Sequence, residues 1–204
     1  MIDKFKHIDL NNEKVQRIVN RGFEEFSKQS YEKASTNQIV KDAKVSRGLL
    51  YHYFKDKEDL YDFLIYYSIK IGVEELENKI HWNETDFLNR IRDTIRLKLE
   101  WTDKYPYLFE FYDKIDRKKV LEYTLQSEST KLKEKFYKHN LDFSNIKQGV
   151  EVQKLINLTG YAVKQITKEH MDRYFIEGKG IDREALMKEI DIYLDFIRVN
   201  FYKN

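Results

Sequence analysis

Residues 36–61 read TNQIVKDAKVSRGLLYHYFKDKEDLY. Ser35 and Thr36 precede a short amphipathic run holding Ile39, Val40 and Ala43; Lys44, Val45 and Ser46 then break the pattern before a second run, Arg47 to Phe54. This spacing predicts two short helices joined by a three-residue turn, which is helix-turn-helix grammar. Ile39, Val40, Ala43, Val45 and Leu50 supply the apolar side through which the first helix braces the second. The outward face of the second carries Ser46, Arg47, Gly48, Tyr51 and His52. Gly48 keeps bulk off its first turn, leaving an end narrow enough for a DNA major groove.

Working outward, Asn11 or Asn12 can cap an upstream helix with Val15, Ile18, Val19, Gly22, Phe23 and Phe26 on one face, ending near Ser27 to Ser30. Downstream, Asp56 can cap a longer helix whose stripe Leu60, Leu64, Tyr67, Ile71 repeats at helical spacing out to about Ile80. Beyond Trp82 the periodicity stays helical. It predicts a segment near Thr85 to Asp103, a short helix with Pro106 in its first turn, one helix from Arg117 to about Lys138, and a loop over 139–146. A long helix from about Lys147 to Phe175 follows, with Leu155, Leu158, Thr159, Ala162, Val163 and Ile166 on one side and Gly160 and Ala162 permitting close helix approach. Gly178 and Gly180 stop it, Asp182 caps the next, and Leu186, Ile190, Leu194, Ile197 and Phe201 form a terminal stripe. The fold class expected is all-α. With one proline and seven glycines in 204 residues, few breaks are obligatory, and β-branched alternation is nowhere sustained.

Composition narrows the classes further. There is no cysteine, which excludes a disulfide framework, a thiolate zinc site and a cysteine nucleophile together. Mean hydropathy is −0.72, and no run approaches the roughly 20 apolar residues of a spanning helix. Met1 to Leu10 holds five charged or titratable side chains and reads as no secretory signal, so the expected compartment is the cytoplasm. The net charge of +2 divides unevenly: residues 1–57 hold 12 Lys and Arg against 8 Asp and Glu, a net of +4, and the remainder is net −2. The basic end is the one with the motif.

The order of residues in 36–61 is more specific than a generic helix-turn-helix. Thr36 opening the first helix, Val45-Ser46 in the turn, Gly48, Leu50-Tyr51, Tyr53-Phe54, then Lys57, Glu58 and Leu60 resemble the TetR family of bacterial transcriptional regulators. The motif covers about residues 12–61, and Tyr105-Pro106 opening a short helix adds a similarity of layout. The resemblance implies a three-helix DNA-binding domain over 1–57 and a larger helical domain over 58–204 for ligand binding and dimerisation. It also implies double-stranded DNA as partner, a homodimer, and a repressor released by a small-molecule effector, without a cofactor or a resident metal. Thr36, Tyr51 and Lys57 fall where the family contacts phosphates. Two departures stand out. Lys44 occupies a turn position where glycine is common, so a lysine there adopts positive φ at about 1 kcal/mol, and Val40 stands where alanine is usual.

Chemistry assigns the remaining contacts. Arg47 and Asn37 suit base edges, since arginine pairs bidentately with guanine and asparagine with adenine. Ser46, Gly48, His52 and Lys55 are further candidates on the same face. In the C-terminal part, Trp101, Phe109, Tyr112, Tyr123 and Tyr161 are candidates to line a pocket for a flat or cationic hydrophobic effector, with Glu110 or Glu122 offsetting charge. The helices near 147–175 and 182–201 offer more apolar stripe than one partner requires, so they are the expected homodimer surface. Enzyme constellations are poor: no two of the five histidines stand three or four apart, Gly178-Lys179-Gly180 lacks the rest of a phosphate loop, and no serine sits in a G-x-S-x-G elbow. The competing class is a helical adaptor that uses the motif to hold a protein.

Overall fold

Asn12 adopts extended backbone, and its side-chain oxygen accepts from the amides of Lys14 at 2.9 Å and Val15 at 3.4 Å, which starts α1 (Glu13–Lys28). In the computed structural model, which describes residues 2–126, 128–177 and 181–203, α1 buries all six apolar-face positions from Val15 to Phe26. There follow α2 (Thr36–Asp42), α3 (Arg47–Tyr53), α4 (Lys57–Lys79), α5 (Phe87–Lys104), α6 (Leu108–Lys114), α7 (Arg117–Gln126), α8 (Ser129–Lys138), α9 (Val152–Glu177) and α10 (Arg183–Phe201). A 3-10 turn, Ile2–Phe5, precedes them, and the described residues otherwise hold a single isolated bridge, Ile146 to Tyr202. The all-α reading holds.

Three boundaries differ from the periodicity. Pro106 lies in the turn before α6, where Leu108 N–H reaches the Tyr105 carbonyl at 3.1 Å, and is not within the helix's first turn. The single helix expected over 117–138 is two, α7 and α8, described on either side of Ser127. The long helix starts at Val152 rather than Lys147: Gly149 takes φ +87°, and the Lys147 amide bonds the Phe201 carbonyl at 2.9 Å, so this stretch is spent on a turn against the end of α10. Gly160 meets nothing within 4 Å of a built Cβ, so it marks no close helix approach within the chain. Gly178 and Gly180 lie outside the described residues.

The chain packs as two compact units, Met1–Lys79 with Glu100–Phe136, and Ile80–Leu99 with Tyr137–Asn204. In the first, α1 packs against α2, α4 and α6, and α4 also against α7. Its core is aromatic: Phe23, Phe54, Phe63 and Phe111 are essentially inaccessible, with Phe54 and Phe63 ring centroids 5.0 Å apart. Gly22 leaves room for Leu64 of α4, since a Cβ there would stand 2.7 Å from Leu64 Cδ1. Lys119 of α7 reaches Asp62 at 2.8 Å and Glu58 at 3.1 Å on α4, and those carboxylates hold its ammonium above its ordinary value despite the larger opposing effect of burial.

In the second unit α9 and α10 pair as the expected hairpin. Leu186, Ile190, Leu194 and Ile197 are buried within it, together with Leu155, Thr159 and Ile166, and Asp182 caps α10 through the Ala185 amide at 2.9 Å. Arg198 grips Asp86 with two bonds of 2.8 Å; burial pushes that carboxyl up, but the guanidinium and the backbone amides of Asn89 and Leu88 together hold Asp86 below the usual range. Arg90, 1% exposed, donates to the His139 carbonyl at 2.8 Å and also to that of Glu84, closing the loop ahead of α5.

Candidate nucleic-acid interface

Ser35 caps α2 through the Gln38 amide at 3.4 Å, and Ser46 caps α3 through the Leu49 amide at 3.1 Å, so each short helix begins on a hydroxyl that satisfies an otherwise unpaired donor. Ile39, Ala43 and Leu50 are buried, and Phe54 stops α3 by turning to extended backbone with its ring sunk in the core. Asp56 then caps α4 through the Asp59 amide at 2.8 Å. Sequence thus fixes one face of α3 inward. The other carries Ser46, Arg47, Gly48, Tyr51 and His52, all exposed, with Gly48 open enough that a Cβ would meet nothing nearer than Ser46 Oγ at 4.0 Å.

The turn between α2 and α3 is built on Lys44, whose φ is +53°. The Lys44 amide bonds the Lys41 carbonyl at 3.2 Å and the Val45 amide bonds the Val40 carbonyl at 3.1 Å, the paired pattern of a Schellman helix ending. The strain foreseen at Lys44 is present, offset by two hydrogen bonds and by Arg17 of α1, whose Nε donates to the Ala43 carbonyl at 2.9 Å. Val40 is partly buried against the core and does not disturb the pairing of α2 with α3.

Across the motif, Thr36 Oγ1 lies 3.4 Å from the Tyr51 hydroxyl, and the Arg47 guanidinium stands 5.5 Å from the Tyr51 ring centroid. The Thr36 hydroxyl first, and Arg47 after it, hold the Tyr51 phenol below its ordinary value against the smaller effect of burial. Thr36, Tyr51 and Arg47 therefore form one contiguous cluster of donors, with Asn37 exposed one residue into α2. Lys55 is exposed beyond the end of α3, its amide held by Asp59 Oδ2 at 3.1 Å. Lys57 differs. Its ammonium donates to the carbonyls of Tyr31 at 2.7 Å, Glu32 at 3.1 Å and Ala34 at 3.2 Å, which uses all three of its donors inside the fold. The position expected to meet a phosphate instead anchors the segment leading into α2.

The aromatic candidates differ in exposure. Trp101 is buried and stacks on Phe109 at 6.3 Å, Tyr123 is buried in the same unit, Tyr112 is 48% exposed, and Tyr161, in the second unit, is 72% exposed. Glu110 has both carboxyl oxygens buried without a hydrogen-bond partner, and burial pushes it up to about 7. Of the five, Trp101 alone lines a cavity of about 340 Å³, which it shares with Gln16, Tyr67 and Tyr105. Tyr67 was legible in the sequence as a stripe position, and nothing in the periodicity singled out Gln16. Among the described residues no group of three or more His, Asp or Glu side chains could hold a metal ion, and no helix is long and apolar enough to cross a membrane.

The capped α2, left-handed turn and exposed α3 lie within a stretch of the chain that matches a known family. Residues 18–63 fit the model described as bacterial regulatory proteins, tetR family. These residues are a TetR-type DNA-binding motif. An HTH-type transcriptional regulator, HbdR of Aromatoleum sp. (strain CIB), is 34% identical over 71 residues, which is 35% of this chain and 29% of that protein's length. A TetR family transcriptional regulator from Chloroflexus aurantiacus J-10-fl has a similar fold throughout, with a TM-score of 0.66 at 17% identity over 99% of this chain and 98% of that one. A solved chain from Streptomyces coelicolor gives 0.55 at 16% identity over 93% and 99%. The family model thus covers residues 18–63, while the likeness in fold extends along 93 to 99% of the chain.

Proposed function

We propose that this chain is a TetR-family DNA-binding transcriptional repressor that acts as a homodimer on a palindromic operator and is released from it by a small aromatic effector. The observation that carries the reading is the two-sidedness of α3: Leu50 is 1% exposed against α2 while Arg47, Gly48, Tyr51 and His52 face outward. A helix seated in that way presents its first turn to the major groove. Arg47 and Asn37 are the base-reading side chains, with Ser46, Gly48 and His52 close to the same edges; Thr36, Tyr51 and Lys55 donate to phosphates and fix the register. Lys57 acts one step back, by holding the loop ahead of Thr36.

The dimer reading rests on apolar surface left over in the second unit. Ile192, Phe196 and Val199 line one side of α10 at 59%, 61% and 70% exposure, with Leu158 and Tyr161 exposed on α9. The stripe expected to pair between subunits, Leu186 to Phe201, is consumed inside the hairpin, and this second stripe is the one that remains. A twofold pairing there supplies two recognition helices for half-sites about 34 to 36 Å apart or a multiple of that.

Selection of bound duplexes from a random pool tests the function directly. An inverted repeat with fixed spacing is the expected product. Recovery of no sequence, with binding to random duplex that scarcely weakens between about 50 and 200 mM salt, would replace the DNA reading by the protein adaptor.

A further inference from the structure

Arg47 and Tyr51 stand one helical turn apart on the outward face of α3. Side chains lean back toward the start of a helix, so a ring at position 51 covers the turn from which residue 47 departs. The Arg47 guanidinium carbon lies 5.5 Å from the Tyr51 ring centroid, inside the roughly 6 Å over which a ring face attracts a cation. His52, the next ring along the helix, is turned to Tyr53, with their centroids 5.1 Å apart. Among the described residues Arg47 enters no salt bridge, so the Tyr51 ring is the group that steadies its charge.

The two ends of Tyr51 have different neighbours. Its hydroxyl lies 3.4 Å from Thr36 Oγ1, at the start of α2 and across the turn, whereas its ring lies beside Arg47 on its own helix. At 38% exposure the ring is not spent on the core. An arginine at an exposed helix start has many rotamers, and ordering it on binding weakens the complex. One already laid along a ring has less freedom to lose, and its planar fork keeps in-plane N–H donors available for the O6 and N7 of guanine.

We propose that Tyr51 is a specificity-determining positioning residue, whose ring sets Arg47 for the base that Arg47 reads, separately from the phosphate contact of its hydroxyl. This inference deepens the DNA-binding reading above and rests on it. The hydroxyl acts on every duplex alike. The ring acts only where the correct base meets Arg47, because a wrong base gains nothing from a well-placed arginine.

Two substitutions separate the roles. Tyr51→Phe keeps the ring and Tyr51→Leu removes it, with melting temperature as the check that each variant folds; Tyr51→Gln replaces the leucine variant if that one does not. In the free protein, proton NMR is expected to show the Arg47 Hδ signals displaced upfield by the ring current in the parent and in Tyr51→Phe, but not in Tyr51→Leu. Competition binding is then measured on the selected operator and on duplexes with one base pair changed. The pair read by Arg47 is the one at which Arg47→Ala loses its preference. Tyr51→Phe should weaken all duplexes equally and keep the parent's preference at that pair. Tyr51→Leu should in addition lose preference there by about two- to fivefold, the size of an exposed cation–ring attraction, and should cause no such loss in an Arg47→Ala background. Full preference in Tyr51→Leu, an equal loss at every pair, or undisplaced Arg47 signals in the parent would each overturn the role. Failure of the parent to bind any duplex would instead overturn the DNA reading, and the ring-current comparison would still report whether the two side chains pair.

Discussion

Lys57 Nζ lies 3.2 Å from the carbonyl of Ala34, the residue just ahead of the cap of α2. With Tyr31 and Glu32 also bonded to the same ammonium, and the Ser35 amide held by Glu25 Oε1 at 2.8 Å, the entry into α2 is fastened from both sides. Lys57→Ala removes charge-assisted bonds and should lower stability by about 1.5 to 3 kcal/mol, read by denaturant unfolding. Its effect on DNA affinity should be equal on all sequences, with an unchanged salt slope. A slope shallower by about 0.9 would show that the ammonium neutralises a phosphate after all.

Lys44 holds a left-handed conformation that its Cβ disfavours, at a position where the Schellman pattern suits glycine. Lys44→Gly should therefore stabilise the chain by about 1 kcal/mol, raising the melting temperature by roughly 2 to 4 °C for a chain of this size. The outcome that contradicts this is a lower melting temperature, which would mean that the exposed lysine makes a contact worth more than its strain.

These two lysines show what the sequence could and could not reveal. Strain at Lys44 was legible through the resemblance, because the family commonly carries glycine at that turn position and glycine there marks a positive φ. The partners of Lys57 were not, because its three acceptors are backbone carbonyls 23 to 26 residues away, brought to it by the packing of α1 against α4. The same distinction runs through the fold. Helices with polar caps and clean stripes, α1 to α4 and α10, were placed within two residues, whereas the start of α9 was missed because Lys147 pairs with Phe201 far along the chain. Periodicity reported one stripe on α10; the second, Ile192, Phe196 and Val199, interleaves with it, and only packing decides which is buried.

Arg47 carries the sequence preference in the proposed complex. Arg47→Ala should cost about 1 to 3 kcal/mol on the selected operator and relax discrimination at one base pair of each half-site. Tyr51→Phe should weaken all duplexes alike, because it removes a hydroxyl assigned to the backbone. Competition binding against operators with single base changes separates the two patterns, and an Arg47 variant as selective as the parent would remove that residue from base reading.

Glu110 gives a pH dependence with a definite sign. Its carboxyl is raised from 4.5 to about 7 by burial, so the folded state binds a proton that the unfolded state has released. Stability from this group is complete below the unfolded value and falls as pH rises through about 7. Glu110→Gln should consequently be close to neutral at pH 5 and stabilising at pH 8, by at most about 3 kcal/mol. Thermal melts of both proteins across that range check it; equal differences at the two pH values would place the proton elsewhere.

The exposed stripe of α10 decides the assembly. Ile192, Phe196 and Val199 repeat at spacings of four and three, and their exposure in one chain is more than isolated surface apolar residues explain. If the second unit pairs there about a twofold axis, each side chain meets its symmetry counterpart's surroundings, and a charge introduced at the centre is buried twice without a partner. Phe196→Glu should then convert a dimer to a monomer at micromolar concentration, seen by sedimentation equilibrium, while helical content stays constant because the side chain is largely exposed in its own subunit. Operator affinity should fall steeply, since two half-sites are no longer read by one particle, and affinity for an isolated half-site should hold. A parent protein that sediments as a monomer, or a Phe196→Glu variant that remains dimeric, would place the subunit contact on another face and leave this stripe without that role.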